Sequence, residues 1–180
     1  MKFERASGIL LHPTSLPSRF GVGDLGDEAF EFVDFLVSAK QTYWQVLPLG
    51  QTGYGDSPYQ CFSAFAGNIY LISPAKLRAD GFLSDEDLED APEFPEGKVD
   101  FGKVIDFKLP LLKKAFETYR RSDNGEIADM FRLFCQFNAF WLEDYALFRA
   151  IKLSQEQKSW QEWEEPLKLR KPEALEKARR

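Results

Sequence analysis

The first quarter of the chain places one amphipathic stretch between two short apolar runs. Gly8–His12 and residues 43–47 (YWQVL) are the apolar runs, and a proline ends each of them. Between them, apolar residues recur at helical spacing from Asp27 to about Lys40. Short apolar runs without alternation are typical of strands buried on both faces, and a strand that returns after one helix is the unit of parallel α/β folds. The pattern therefore predicts two parallel strands joined by a helix.

Each predicted strand is followed by a long irregular segment. Residues 13–26 (the first loop) are rich in Pro and Gly, and residues 48–68 (the second loop) contain four Gly, two Pro, two Tyr, two Phe and a single charge. Loops of this length are usually functional or disordered, and aromatic residues with little charge argue against disorder. Because loops at the carboxyl ends of parallel strands build active sites, the second loop is the candidate site.

The rest of the chain reads as mostly helical. The further predicted elements are a short strand at 69–72, a helix opened by Ser73-Pro74, a surface connector at 80–102, and helices at about 104–121 (interrupted near Pro110), 126–152 and 171–180. One stripe of the 126–152 helix is apolar, and its aromatic part from Phe131 to Phe148 is predicted to be core. The stripe consists of Ile127, Phe131, Phe134, Trp141, Tyr145 and Phe148. Two strands cannot close a sheet, so the chain is either an unusual, mostly helical domain or the opening third of something larger. The absence of a C-cap signal before Arg180 favours the second expectation.

Composition and charge narrow the functional classes. The 29 acidic and 23 basic residues give a net charge of −6, which offers no long-range attraction to phosphate backbones. Two cysteines and one histidine fit neither a disulfide framework nor a zinc site, so no metal is expected. The N-terminus has no secretory pattern, and no run approaches the ~20 apolar residues of a membrane span. The expectation is a cytoplasmic protein without nucleic-acid or membrane partners.

Four segments carry a family resemblance: HPTSLPSRFGVGDLG, WQVLPLGQTGYGDSPYQCFSAFAGN, FKLPLLKKAF and FWLEDYALFRAIK. Together they resemble the N-terminal part of the 4-α-glucanotransferases, the amylomaltase or disproportionating-enzyme family, from about Arg5 to about Arg170. The resemblance implies an α/β fold, the start of a (β/α)8 TIM barrel with an inserted helical subdomain. Residues 1–74 would form the first two βα units and carry the glucan-binding loop 48–68. Residues 75–180 would form the incomplete helical insertion.

The activity that the resemblance implies is transfer of α-1,4-glucan segments between maltooligosaccharides by a retaining double displacement, without a cofactor. In the family, the three catalytic carboxylates lie on later barrel strands. No catalytic role is therefore assigned to Asp24, Asp27, Asp34 or Asp56, and the chain alone is expected to be inactive. Two alternatives stay open: a retaining α-glucan hydrolase of amylase type, and a non-catalytic glucan-binding short protein. The oligomeric state is not predicted.

Five residues of the second loop are predicted to bind substrate. Tyr54 and Tyr59 can stack on glucose, and Asp56 and Ser57 can bond sugar hydroxyls. Gly55 would let the backbone take a positive φ or approach the ligand. The alternatives are local: loop aromatics can anchor a loop to the core, and Asp and Ser can bond their own backbone in turns.

Several other residues are predicted to have structural roles. Gln60 and Asn68 should tie the loop ends, and His12 should be a packed, hydrogen-bonded residue at the end of the first strand. Asp24 should fix the first loop or cap the next helix. Trp160 and Trp163, on a polar segment, are predicted to cover a part of the barrel that the chain does not contain.

Overall fold

The computed structural model describes residues 5–122 and 125–179, which fall into two compact units. The first unit extends to Asn124 and the second begins at Gly125. The boundary between the two compact units thus lies between residues 124 and 125, whereas the predicted domain boundary follows residue 74. The reason is that the helices after residue 74 share a core with the first loop, where Phe20 packs with Leu111 and Ala115. The assignment of a barrel part and an inserted subdomain stays a prediction.

The two predicted strands form and pair in parallel. Strand β1 is Gly8–Leu10 and strand β2 is Tyr43–Gln45, with Gly8 opposite Tyr43 and Leu10 opposite Gln45. The expectation that both faces are buried is wrong for the described chain, because Leu10 is 57% exposed and Tyr43 is 59% exposed. Parallel strands are ordinarily covered on both faces, and this pair retains a large open apolar area.

Helix α1 joins the strands and spans Asp27–Ser38, close to the predicted 27–40. Asp27 and Glu28 lie in its first turn, where negative charge offsets the partial positive charge of the helix N-terminus. One face is buried through Ala29 and Leu36. Phe32 from this helix makes an edge-to-face contact with Trp44 of β2, with 4.9 Å between the ring centroids.

The core of the first unit comes from the helices that follow the second loop. They are α2 (Pro74–Ala79), α3 (Glu86–Glu89) and α4 (Phe101–Arg121). The prediction of a helix opened by Ser73-Pro74 is confirmed, and α4 runs through Pro110 without the predicted interruption. The predicted surface connector contributes two core residues, Leu83 and Leu88, which pack with Phe20. That part of the prediction is wrong, since turn-rich composition does not exclude isolated buried leucines.

The predicted strand at 69–72 is also wrong. Ile69–Leu71 form a single 3-10 turn, because the Asn68 side chain accepts a hydrogen bond from the Tyr70 amide and closes the backbone there. Tyr70 is buried in this turn and packs with Val22 and Val104. The turn thus places the end of the second loop against α4.

The second unit contains four helices within its described residues: α5 (Gly125–Phe137), α6 (Ala139–Ser154), α7 (Glu165–Lys168) and α8 (Pro172–Ala178). The predicted single helix 126–152 is interrupted at Asn138. The side-chain amide of Asn138 donates to the Phe134 carbonyl, and its side-chain oxygen accepts from the Trp141 indole. These local bonds compete with continuation of the helix.

The aromatic residues of the second unit divide between core and surface. Trp163 is buried with Leu147 and Ile151, and Phe148 packs against them, so the expectation that Trp163 covers an absent part of a barrel is wrong. Trp160 is exposed. Phe131 and Phe134 on α5 are exposed too, contrary to the prediction that the whole stripe of the 126–152 helix is core. Among the described residues, no helix combines the length and apolar character that crossing a bilayer requires.

Candidate functional site

The second loop is an irregular hairpin. Two isolated antiparallel bridges hold its arms together, Gly50 with Gly67 and Thr52 with Cys61. Backbone bonds reinforce the pairing: the Gly53 amide donates to the Gln60 carbonyl at 2.9 Å. A segment that contains four glycines and no regular strand is thereby given a defined shape.

Asn68 fixes the base of this hairpin. We call Asn68 and Leu49 together the loop root. The Asn68 amide donates to the Leu49 carbonyl at 2.7 Å, so the two ends of the loop are bonded to each other. The Asn68 side chain is buried and accepts from the Tyr70 amide at 3.0 Å. The prediction that Asn68 ties the loop ends is confirmed, whereas the same prediction for Gln60 is wrong, because the Gln60 backbone bonds Gly53 and Ser57 near the tip.

The loop tip, residues 54–59, contains all five predicted binding residues. Tyr54–Asp56 form a 3-10 turn in which Gly55 has a φ of 77° and Asp56 a φ of 54°. A Cβ at Gly55 would meet open space, so only its backbone conformation favours glycine. The side chain of Tyr54 lies outside the described part of the structure.

Two polar residues and one ring make up the rest of the tip. The Ser57 hydroxyl accepts from the Tyr59 amide at 3.4 Å, a turn contact that leaves the hydroxyl proton available to another acceptor. Asp56 is half-buried beside it. The Tyr59 side chain is 74% exposed, so it does not anchor the loop to a core. An open aromatic face beside short oxygen-bearing side chains is suited to a ligand with both apolar faces and hydroxyl groups.

His12 connects the first loop to the second. Its Nδ1 accepts from the Thr14 amide at 3.3 Å, so in the neutral ring Nε2 carries the proton. Nε2 lies 3.4 Å from the Pro48 carbonyl oxygen, to which it donates. The predicted role of His12 as a packed, hydrogen-bonded residue is confirmed, and it joins the ends of β1 and β2.

Asp24 and Lys108 form a buried ion pair below the two loops. Lys108 Nζ lies 3.1 Å from Asp24 Oδ2, and the other carboxylate oxygen of Asp24 accepts from the Gly26 amide at 2.9 Å. Burial raises the pKa of the Asp24 carboxyl and lowers the pKa of the Lys108 ammonium, while the charge of each partner opposes the shift of the other. Asp24 fixes the first loop as predicted. Its partner Lys108 was not predicted.

Lys108 had a detectable signal in the sequence. It occupies the same helical stripe as Val104, Leu111 and Ala115, all of which are buried. A lysine on an otherwise apolar stripe requires a buried acceptor. The stripe therefore indicates a buried acceptor opposite α4 but not which residue supplies it.

An open cleft of about 980 Å³ lies beside the first loop. Residues 14–23 form one wall and residues 92–99 the other, and the second loop does not line it. Gly21 has a φ of 79°, and its Cβ would lie 2.2 Å from the Phe94 ring, so glycine is required where the walls meet. In the described part of the chain, no group of three or more His, Cys, Asp or Glu side chains is arranged to hold a metal ion.

Comparison with known proteins identifies the family. Residues 11–180 match the model of glycoside hydrolase family 77, described as 4-alpha-glucanotransferase. The chain belongs to the 4-alpha-glucanotransferase family. It is similar to the 4-alpha-glucanotransferase of Synechocystis sp., with 51% identity over 96% of this chain and 34% of the relative. It is also similar to that of Thermus thermophilus, with 50% identity over 99% of this chain and 35% of the relative.

A solved structure agrees with the 4-alpha-glucanotransferase assignment. The chain superimposes on an amylomaltase from Streptococcus agalactiae in complex with acarbose, with a TM-score of 0.90 and 40% identity, over 98% of this chain and 36% of that one. The chain thus spans about a third of the length of the 4-alpha-glucanotransferases that it matches. The resemblance found in the sequence is confirmed, and the small parallel sheet with many helices is a shape found within an amylomaltase.

Proposed function

We propose that this chain forms part of a 4-alpha-glucanotransferase that transfers α-1,4-glucan segments between maltooligosaccharides, and that the loop tip binds the glucan on the donor side. The observation that carries the proposal is the exposed Tyr59 ring held at the tip of a loop whose two ends are bonded to each other. A sugar ring laid on this face would bury apolar area. Its hydroxyls would lie near the Ser57 hydroxyl, which can accept or donate hydrogen bonds, and near the Asp56 carboxylate, which can accept them.

The chemistry that such a site serves is a retaining displacement. A carboxylate attacks the anomeric carbon as a carboxylic acid protonates the leaving glycosidic oxygen, which gives a glycosyl-enzyme intermediate. A sugar hydroxyl then attacks that intermediate and loses its proton to the second carboxylate. In this chain Asp24 is paired with Lys108, and Asp27 is paired with Lys76 at 3.1 Å. The family resemblance implies that the catalytic carboxylates belong to the two-thirds of the family length that this chain does not span.

We further propose that β1, α1 and β2 are the beginning of a (β/α)8 barrel. Parallel pairing through one intervening helix supports this arrangement, and so do the open apolar side chains of the strands. Residues 1–74 would contribute to the barrel and residues 75–180 to a helical insertion. The activity would be cytoplasmic, in keeping with two cysteines that form no disulfide. Substrates of the maltooligosaccharide class are supported by the acarbose complex of the structural neighbour.

Product analysis with maltotriose tests the transferase against its alternatives. The natural gene product should convert maltotriose into glucose together with oligosaccharides longer than the substrate, because a sugar hydroxyl replaces water as the acceptor. Formation of glucose and maltose alone would show a hydrolase instead. Binding of maltooligosaccharides without any product would leave the glucan-binding protein as the correct description.

A further inference from the structure

Lys108 is the residue whose burial is least explained by the proposed chemistry. Its ammonium is fully buried in α4, 3.1 Å from the Asp24 carboxylate and 2.7 Å from the Tyr70 carbonyl oxygen. Buried ion pairs can often be replaced by apolar side chains without loss of stability. What an ammonium adds here is direction, since it donates to two acceptors, the Asp24 carboxylate and the Tyr70 carbonyl, and so fixes their positions relative to each other.

The Tyr70 carbonyl leads directly to the second loop. The amide of Tyr70 donates to the Asn68 side chain at 3.0 Å, and the amide of Leu71 donates to the Asn68 carbonyl at 3.0 Å. Asn68 in turn donates to Leu49 and so closes the loop root. Only Ile69 therefore separates Tyr70, whose carbonyl Lys108 holds, from Asn68, which bonds the two ends of the loop.

The first loop holds the opposite side of the same turn, through the residue that follows Asp24. The Leu25 amide, next to Asp24, donates to the Leu71 carbonyl at 2.9 Å. Ser73, which caps α2, bonds the Asp24 side chain. The 3-10 turn at 69–71 is thus held between α4 and the first loop. Lys108, which belongs to α4, bonds both the turn and the first loop.

We propose that Lys108 is a positioning residue for the second loop: it fixes the loop root through Tyr70 and Asn68, and thereby the orientation of the tip that receives the donor glucan. The inference rests on the proposed function of that tip. Lys108 itself contacts no substrate in this scheme, and its effect reaches the glucan through the backbone of residues 68–70. Its loss should loosen the loop before it unfolds the first unit.

The test is Lys108→Met in the natural gene product, followed by hydrogen–deuterium exchange and maltotriose kinetics. The Asn68 and Gly53 amides, which close the root and the arms, should exchange at least ~10-fold faster, because local opening becomes easier. The KM for maltotriose should rise by about 5-fold or more while kcat stays within about 2-fold, the signature of lost substrate positioning.

A matched control is available in the second unit. Lys152 is also a buried lysine, and its ammonium donates to the carbonyls of Gln157 and Lys158 at 2.6 and 3.0 Å. Lys152→Met should accelerate exchange around residues 155–158 and leave the Asn68 and Gly53 amides unchanged. The comparison separates loss of a buried lysine from loss of the contact to the loop root.

A second variant covers the case in which Lys108→Met fails to fold. Asp24→Asn combined with Lys108→Met removes both charges and leaves no unpaired carboxylate, and it should show the same faster exchange at Asn68. Unchanged loop exchange in a folded single or double variant would overturn the inference. The exchange result does not depend on catalysis. If the unaltered protein forms no products longer than maltotriose, the proposed function fails. The exchange rates of the Asn68 and Gly53 amides then still decide whether Lys108 positions the loop.

Discussion

Tyr59→Ala tests the donor-side site most directly, because the ring is mostly exposed and contributes little to folding. An aromatic side chain buries about 150–250 Å² when fully covered. With 74% of Tyr59 exposed, roughly 150 Å² is available to a ligand, and a sugar on one face would cover about half of it. At about 25 cal/mol per Å² this amounts to about 2 kcal/mol, within a range of about 1–3 kcal/mol.

The assay is kcat/KM for disproportionation of maltotriose by the natural gene product. A loss of about 2 kcal/mol corresponds to a decrease of roughly 25-fold. Tyr59→Phe is the control, since it retains the ring and should stay within a few-fold of the unaltered protein. The free energy of unfolding of the alanine variant should change by no more than about 0.5 kcal/mol, as expected for an exposed residue. A kcat/KM within twofold of the unaltered value, in a folded variant, would remove Tyr59 from the site.

Three further predictions concern folding. Gly23→Ala should destabilise the first unit by several kcal/mol, since its Cβ would lie 2.1 Å from the Pro13 carbonyl oxygen. Gly55→Ala should cost only about 1–2 kcal/mol, because its Cβ meets open space and only the positive φ is strained. Denaturant unfolding monitored by tryptophan fluorescence measures both losses of stability, and equal losses would contradict the steric argument. Ile151→Ala should destabilise the second unit by about 2–5 kcal/mol through loss of contacts in the cluster around Trp163, measured by thermal unfolding against Leu153→Ala, whose side chain is mostly exposed. The 180-residue chain expressed alone should be molten or aggregated and bind a hydrophobic dye, because the apolar strand and helix surfaces stay open; a monodisperse monomer with a sharp cooperative melt would refute this.

Local signals in the sequence predicted the first part of the fold well. Asp27 and Glu28 mark the start of α1, and Ser73-Pro74 marks the start of α2. The parallel pairing of β1 with β2 followed from their order around one helix. These features depend on residues close together in sequence, where capping, helical periodicity and turn composition decide the outcome.

The errors have two causes: short-range side-chain bonds that override an apolar pattern, and contacts between residues far apart in the sequence. Residues 69–72 are as apolar as a strand, but the side chain of Asn68 closes them into a turn. Asn138 interrupts a helical stripe that periodicity alone would continue. Leu88 is buried because it packs against Phe20, and nothing in the acidic segment around it indicates such a partner. Asp24 and Lys108 are separated by 84 positions, so the pattern around Asp24 does not reveal its partner.

The candidate site was predicted from the family resemblance and the placement of the second loop after a strand. The sequence indicated which residues of the tip could meet a sugar, but not whether Tyr59 would face solvent or pack inward. That outcome depends on the bridges from Gly50 to Gly67 and from Thr52 to Cys61, which turn the arms into a hairpin and carry the ring outward. Such pairing between glycine-rich arms has no periodic signature, so it could not be read in advance.

The bond between Leu49 and Asn68 also means that the second loop can change in length between two fixed ends. Residues 50–67 lie between two chain ends that the Asn68 amide and the Leu49 carbonyl hold together. Doubling the length of a closed loop costs only about 0.6 kcal/mol, so insertions at the tip would be tolerated without moving β2 or α2. Under the proposed function, a change in the length of this segment would alter the contacts to the glucan and leave the bond between Leu49 and Asn68 in place.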